Sequence, residues 1–449
     1  MSSLQQEIEA LPQEIQWRLT RGSFDVTQFL RWAEEQRQGI DRDATNRLAA
    51  VSPPAPEDVV EIPAVGTEEH RRHTELGQQA LNRGEVALLV LAGGMATRMG
   101  SVVKALVEAL PGKTFLDLRL AEKDALSRRY GRPFPLWLMT SEATDGPIRQ
   151  ALGARLEDPT LAVFQQHVSL RLRPDGSLFR TSSGEVDLYP TGHGDVPDAL
   201  RESGMLTRFR EQGGRYLWIA NLDNLGATVD ATLLGGHIAR GDTLSVEVVP
   251  KAGDKGGIPV RYQDRPIICE EFRLPLSFDA ATVQSFNTNT FLCNADALDG
   301  YDHPWTYCVV EKNVAGQPII QRERLVGELT FHLPTRFLLV PREGEASRFL
   351  PVKDPAELER RRPAIEAVAR SRGLLALRGA SLLPVPRDCS RHLGHTVVAY
   401  LWAGSGPLRC AHTRQKPYLH RRRRRSGRQP RGSCPATGPR ATCSVGWWL

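Results

Sequence analysis

VALLVLAGGMATRMG occupies residues 86–100. Its first six residues, Val86 to Leu91, form an unbroken apolar run, the mark of a parallel strand buried on both faces. A strand that runs straight into the paired glycines Gly93 and Gly94 can bring bare backbone N–H groups close to a phosphate. Arg98 and, beyond the segment, Lys104 supply cationic charge for such a ligand. The pattern is neither a Walker A loop, which needs Gly-Lys-Ser/Thr after four spacers, nor a dinucleotide GxGxxG. Read alone, a plain strand–helix turn explains the two glycines equally well.

Working outward, further apolar runs stand at Pro135–Met139, Tyr216–Ala220 and Leu244–Val249. Helical patterns lie between them, around Leu116–Arg129, Ile148–Arg155, Ala199–Glu211 and Ala231–Arg240. Strands alternating with helices predict a doubly wound α/β sheet, whose ligands sit at the carboxyl ends of the strands. Leu4, Ile8, Leu11 and Ile15 recur at helical spacing, so residues 1–50 read as amphipathic helices. VSPPAPEDVVEIPAVG, residues 51–66, is proline-rich and suits a linker. The expected organisation is a helical segment with linker over 1–66, a catalytic domain over 67–370, and a tail over 371–449.

Composition narrows the function class. At 449 residues the chain has ample material for a large core, and 41 % hydrophobic with 24 % charged residues excludes disorder throughout. No stretch reaches the roughly 18 apolar residues of a membrane span, and the opening MSSLQQEIEALPQEIQWRLTRG has no apolar signal region. The expected location is therefore cytoplasmic, with no membrane partner. The net charge of +6 averages two unlike parts. Residues 371–449 hold 15 Lys and Arg against the single acid Asp388, which leaves 1–370 at −8. Only the tail has the footprint of a polyanion binder, so nucleic-acid binding is expected at most non-specifically and through the tail. Cys269, Cys293 and Cys308 in the body and Cys389, Cys410, Cys434 and Cys443 in the tail match no metal spacing. The first three read as buried free thiols.

Two more stretches carry chemistry. In Tyr189-Pro-Thr-Gly-His-Gly-Asp195, glycines flank a histidine able to donate to a phosphate; an exposed turn is the plain alternative. In Ile219-Ala-Asn-Leu-Asp-Asn-Leu225, a carboxylate follows an apolar run, where the Mg²⁺ of a nucleotide is commonly held. Helix capping by Asp223 competes with that reading.

LAGGMATRMG, PLWLMTSEAT, YPTGHGDV, NLDNLGA, KAGDKGG, FNTNTF and RFLPVKD occur in this order between about residues 86 and 360. Together they resemble the UTP–glucose-1-phosphate uridylyltransferase family. The resemblance implies a Rossmann-like nucleotidyltransferase core, a mixed and mostly parallel sheet flanked by helices, followed by a left-handed parallel β-helix. It implies UTP contacts at Leu91, Ala92, Gly93, Gly94 and Lys104, at Gln166 for the uracil, and at Gly192. It puts His193, Asn221 and Leu222 near the sugar phosphate, Asp223 on Mg²⁺, and Lys255, Glu270, Asn287 and Asn289 around the hexose. Lys353 matches the family lysine that contacts the reacting phosphates.

The implied reaction is attack of glucose 1-phosphate on the α-phosphorus of UTP, with Arg98, Lys104 and Lys353 neutralising the leaving pyrophosphate. Galactose or N-acetylhexosamine 1-phosphate is the alternative substrate. A catalytically impaired sugar-nucleotide binder, and a polyanion-binding protein acting through its arginines, are the rival classes. Two departures stand out. Ala96 replaces a family glycine in the binding loop, and alanine resists positive φ. From about Leu383 the apolar patterning stops and no six-residue β-helix repeat is visible. A basic extension too polar to fold, an anchor or localisation signal on Arg421–Arg425, and translation in a shifted frame all remain open for this tail. Self-association is expected only with an intact C-terminal domain.

Overall fold

The strand expected at Val86–Leu91 lies near the middle of an eight-stranded sheet in a computed structural model that describes residues 3–375. In chain order the strands are β1 (Val59–Glu61), β2 (Val86–Leu91), β3 (Leu136–Thr140), β4 (Leu161–Gln165), β5 (Tyr216–Asn221), β6 (Leu244–Pro250), β7 (Ser285–Asn294) and β8 (Thr335–Leu339). They lie in the order β1-β8-β6-β7-β5-β2-β3-β4. All neighbours are parallel except β7, which runs antiparallel to both β5 and β6. The sheet is thus mixed and mostly parallel, as the resemblance implied.

Each apolar run became a strand because both faces are covered. Leu88 and Val90 pack into one core with the helices Phe115–Tyr130 and Ala231–Arg240, while Ala87 and Leu89 pack into a second with Val196, Leu200 and Leu206. Such runs need no polar alternation, since no face meets water; where β6 does carry Ser245 and Glu247, each is buried and bonded, to His237 and to Arg348. A third apolar cluster joins the N-terminal helices, through Leu4, Ile8, Leu11 and Phe29, to Val168, Leu170 and Ile320. The amphipathic pattern in residues 1–50 marks that contact.

Three local expectations shift. Residues 51–66, read as linker, contain β1, which pairs with β8 at the sheet edge; buried Asp58 beside it takes two hydrogen bonds from Arg261, at 2.7 and 3.0 Å. The helix expected at Ala199–Glu211 is two, Val196–Glu202 and Met205–Glu211, separated where Gly204 turns left-handed at φ 67°. The helix expected at Ile148–Arg155 runs from Glu142 to Leu152, begun by the Ser141–Thr144 turn and carrying Pro147 inside it. The readings made for the tail and its cysteines lie outside the described residues.

Among the described residues, Glu68–Arg83 and Ala231–Arg240 cross backbone to backbone. A methyl on Gly235 would sit 1.6 Å from the carbonyl oxygen of His73, and one on Gly77 would sit 1.8 Å from that of Ala231. Gly235→Ala should therefore destabilise the protein by about 3 kcal/mol through overpacking. Gly146→Ala, where the space is open, should stay within about 1 kcal/mol. Urea midpoints of the two variants check the contrast.

Candidate active site

Parallel pairing of β2 with β5 sets Leu91 directly beside Asn221, so the chain leaves both strands at the same edge. The Gly93–Gly94 turn and the Asn221–Asn224 turn therefore lie side by side. An open cleft extends from them. The carboxyl end of a central parallel strand is where such a fold receives ligands.

Arg119, fully buried on the helix Phe115–Tyr130, holds the second turn from beneath. Its guanidinium donates to the carbonyl oxygens of Asn221 and Asn224 at 2.7 Å, Ala227 at 3.2 Å and Leu222 at 3.3 Å. It also donates to Glu122 at 2.7 Å. Five donors meet five acceptors, so nothing on this buried cation is left unsatisfied. Asp223 is no helix cap; the next helix is capped by Asp230.

The upper side of the same turn grips a second segment. Asn224 donates from Nδ2 to the Arg348 carbonyl at 3.1 Å and accepts from the Leu350 N–H at 2.8 Å. Asp223 Oδ2 accepts from the Val352 N–H at 3.0 Å. Residues 348, 350 and 352 are thus bonded as if to a neighbouring strand, with side chains standing in for its backbone. Alternation then sends Leu350 and Val352 into the core and puts Pro351 and Lys353 on the cleft, with Phe349 packed in the core and edging the cleft as well.

Lys104 Nζ lies 2.9 Å from Asp223 Oδ2 at the cleft floor. Burial lowers the Lys353 ammonium below its usual pKa, with Glu357 and Asp254 opposing and Arg98 assisting. Arg98 itself is exposed and does not line the cleft; its charge reaches Lys353 from the turn Thr97–Met99. Ala96 adopts φ −79°, so its methyl is tolerated, and Gly100 and Ser101 take the left-handed positions at 88° and 56°. Gly93 is glycine for closeness: a methyl there would meet Gln166 Oε1 at 2.9 Å. Ala92 is buried behind the cleft, and its N–H is already committed to the Met139 carbonyl at 2.8 Å.

The glycines around His193 answer to a close backbone approach. A Cβ on Gly192 would lie 2.3 Å from the Arg324 carbonyl oxygen, and one on Gly194 would lie 2.7 Å from the same residue. They let that backbone pass, and Gly192 stands off the cleft. His193 does line it, and its Nδ1 accepts from the Val326 N–H at 2.8 Å. The ring proton therefore sits on Nε2, and burial pushes the imidazole pKa down to about 4.

Polar side chains line the cleft as well. Asn289, at φ 57°, donates to Asn221 Oδ1 at 2.8 Å, and its N–H donates to Asn287 Oδ1 at 2.9 Å. Glu270 faces the cleft from the hairpin Gly257–Tyr262/Arg265–Glu270, and burial pushes its carboxyl up to about 7. Leu91, Gly94, Leu222 and Lys255 complete the sequence-derived set on this cleft. Sequence reasoning missed Pro190, Asn224, Phe286, Thr288, Phe349 and Pro351. Thr288 and Phe286 share β7 with the two asparagines, and Phe349 and Pro351 share the alternation with Lys353, so a strand reading of either segment contains the signal.

The family model described as UTP–glucose-1-phosphate uridylyltransferase matches residues 26–362. UTP–glucose-1-phosphate uridylyltransferase 2 of Dictyostelium discoideum is 32 % identical over 74 % of this chain and 66 % of its own length. The Hordeum vulgare UTP–glucose-1-phosphate uridylyltransferase is 32 % identical over 61 % of each. Among solved structures, UDP-glucose phosphorylase of Trypanosoma brucei superposes with TM-score 0.64 and 24 % identity, over 80 % of this chain and 78 % of that one. UDP-N-acetylglucosamine pyrophosphorylase of the same organism gives 0.62 and 19 %, over 79 % and 80 %; at these identities the likeness is one of fold. The chain spans about two thirds or less of the length of the curated relatives named here. The matched region contains every residue that lines the cleft, and the chain belongs to the UTP–glucose-1-phosphate uridylyltransferase family.

Proposed function

We propose that this protein joins UTP and glucose 1-phosphate into UDP-glucose and pyrophosphate. The observation that carries the reading is one cleft with two chemistries, ammonium groups of Lys104 and Lys353 near one glycine turn and amide and carboxyl groups lining the same cleft. The first suits a polyphosphate, and the second suits sugar hydroxyls. Leu91, Gly93 and Gly94 would receive the nucleoside and its phosphates, with Gln166 reading the uracil. Lys255, Glu270, Asn287 and Asn289 would hold the hexose.

The sugar-phosphate oxygen forms a bond to the α-phosphorus as the bond from that phosphorus to the bridging oxygen breaks, and pyrophosphate leaves with the electron pair. No side chain need become covalently attached. Positioning two polyanions in line and neutralising them is most of the work. Lys353 and Lys104 serve the departing charge, with Arg98 adding to the field from the rim. His193, neutral and protonated on Nε2, offers a donor to a phosphate oxygen and no charge that depends on neutral-range pH.

Asp223 fits a nucleotide-borne Mg²⁺, since it is a carboxylate on the cleft beside the glycine turn, held in place by the Val352 N–H and next to Lys104. Mg²⁺ commonly binds through one carboxylate plus phosphates, which agrees with the lack of a three-ligand cluster among the described residues. When bound it supplies Lewis-acid neutralisation of phosphate oxygens. Cytoplasmic residence is supported by Cys269, Cys293 and Cys308, all buried as free thiols, and no described helix is long and apolar enough to cross a membrane.

Three measurements test the reading. Pyrophosphate release from UTP should be fastest with glucose 1-phosphate; faster release with galactose or N-acetylglucosamine 1-phosphate would move the assignment to that sugar, and none with any would leave a binder only. Lys353→Ala should lower kcat about a hundredfold while KM changes far less, as expected of a contact that strengthens in the transition state. The depressed His193 pKa means that the unfolded chain binds more protons between its ordinary 6.5 and about 4. Stability is then full above that window and falls as pH drops through it. The decrease in urea midpoint from pH 7 to pH 5 should be smaller in His193→Asn than in the wild type.

A further inference from the structure

The Arg348–Lys353 segment belongs to no sheet, yet its last residue has to be placed accurately if it is to meet a phosphate. Three side-chain bonds from the Asn221–Asn224 turn hold the segment, and two of them come from one residue. Asn224 satisfies both ends of its amide on this backbone, donating to Arg348 and accepting from Leu350. It is 1 % exposed and is itself anchored, because its own carbonyl takes one of the Arg119 N–H groups at 2.7 Å. The third bond, from Asp223 to Val352, leaves that carboxylate tied also to Lys104. Asn224 is the one of the two with no charge to offer a substrate and two directional bonds to offer the backbone.

We infer that Asn224 is a positioning residue for Lys353, fixing the strand-like course of residues 348–352 so that alternate side chains, ending with Lys353, are delivered to the cleft. The proposal rests on the uridylyltransferase reading for its kinetic test, but the geometry it describes does not. A second anchor lies downstream, where the Lys353 N–H donates to Glu357 at 2.8 Å. That bond fixes the backbone of Lys353 from its far side, while Asn224 sets the approach. Arg348 is anchored independently, by its N–H to the Pro341 carbonyl and its guanidinium to Glu247, so substituting Asn224 removes two of the three bonds from the turn without touching the ammonium group. The lysine should then keep its chemistry and lose its placement, and misplacement near an angstrom can cost about a hundredfold in rate.

A double-mutant cycle distinguishes this from a general structural role. Asn224→Ala should lower kcat at least about tenfold in the wild-type background and less than about twofold when Lys353→Ala is already present. An equal loss in both backgrounds overturns the proposal. Where Asn224→Ala fails to fold, Asn224→Asp provides the same cycle, since it keeps an acceptor for the Leu350 N–H and loses the donor to Arg348. If the wild type releases no pyrophosphate, the functional reading fails by itself, and UTP binding by calorimetry replaces kcat. Loss of UTP affinity confined to the Lys353-containing background then supports the positioning role, and equal loss in both backgrounds removes it.

Discussion

A buried guanidinium underlies the cleft. Arg119 reaches from a helix on one side of the sheet to the turn after β5, and gathers four of its carbonyl oxygens. Each of those oxygens takes a bond from a charged donor, two of them in addition to a backbone N–H, and the charge would be buried without a counterion but for Glu122. Removing one member of such an arrangement costs about 3–5 kcal/mol, because the remainder is left uncompensated. Glu122 extends the network by accepting the Val229 N–H at 3.0 Å. Arg348 adds a second buried pair with Glu247 and reaches the Thr228 carbonyl, so both ends of the 221–229 loop are tied to cations. Only with the turn fixed from below can its side chains bind and aim what lies above.

The same economy governs the glycines. Gly93 clears the Gln166 amide, Gly192 and Gly194 clear the Arg324 backbone, and Gly226 clears the backbone of Arg348 and Phe349. At each place two chain segments approach more closely than a methyl group permits. These positions belong to the construction of the walls as much as to any ligand. The buried pair Asp195–Arg324, at 2.8 Å, completes the joint behind His193 and reaches Asp198 as well. His193 can be held with one tautomer because the Val326 amide it faces belongs to the same joint.

The central strand Val86–Leu91 was legible because a strand covered on both faces is free of the polar alternation that water on one face would demand, whereas Leu244–Val249 carries Ser245 and Glu247, both buried, with Glu247 paired to Arg348. The antiparallel β7 was not legible as a strand. Its polar residues Asn287, Thr288 and Asn289 interrupt the apolar pattern, since they face the cleft and the bonds between strands. The short edge strand β1 hid among prolines, which edge strands tolerate. In the site, motif order located most of the cleft, but the separate parts of a motif were harder to assign. Ala92 and Gly192 stand in the right segments and serve the scaffold, while Asn224 stands beside Asp223 and serves the site. Residue type alone does not distinguish a neighbour that faces the ligand from one that faces the backbone.

The sheet edge also bears on how the chain reaches its native state. β1 pairs with β8, and the Arg336 guanidinium donates to the Glu57 carbonyl across 279 positions of sequence. Asn46 bonds both ways with the Val309 backbone across 263. Such closures gain nothing until the intervening strands are in place, so they belong to the last stage of assembly. A nascent chain would hold β2 and β3 long before β8, the one neighbour of β1 in the sheet, could be joined to it. β8 also covers the outer flank of β6, and β6 leads directly into the Lys255 loop. The sugar-facing side of the cleft therefore stands on the strand pairing that is last to become possible in chain order.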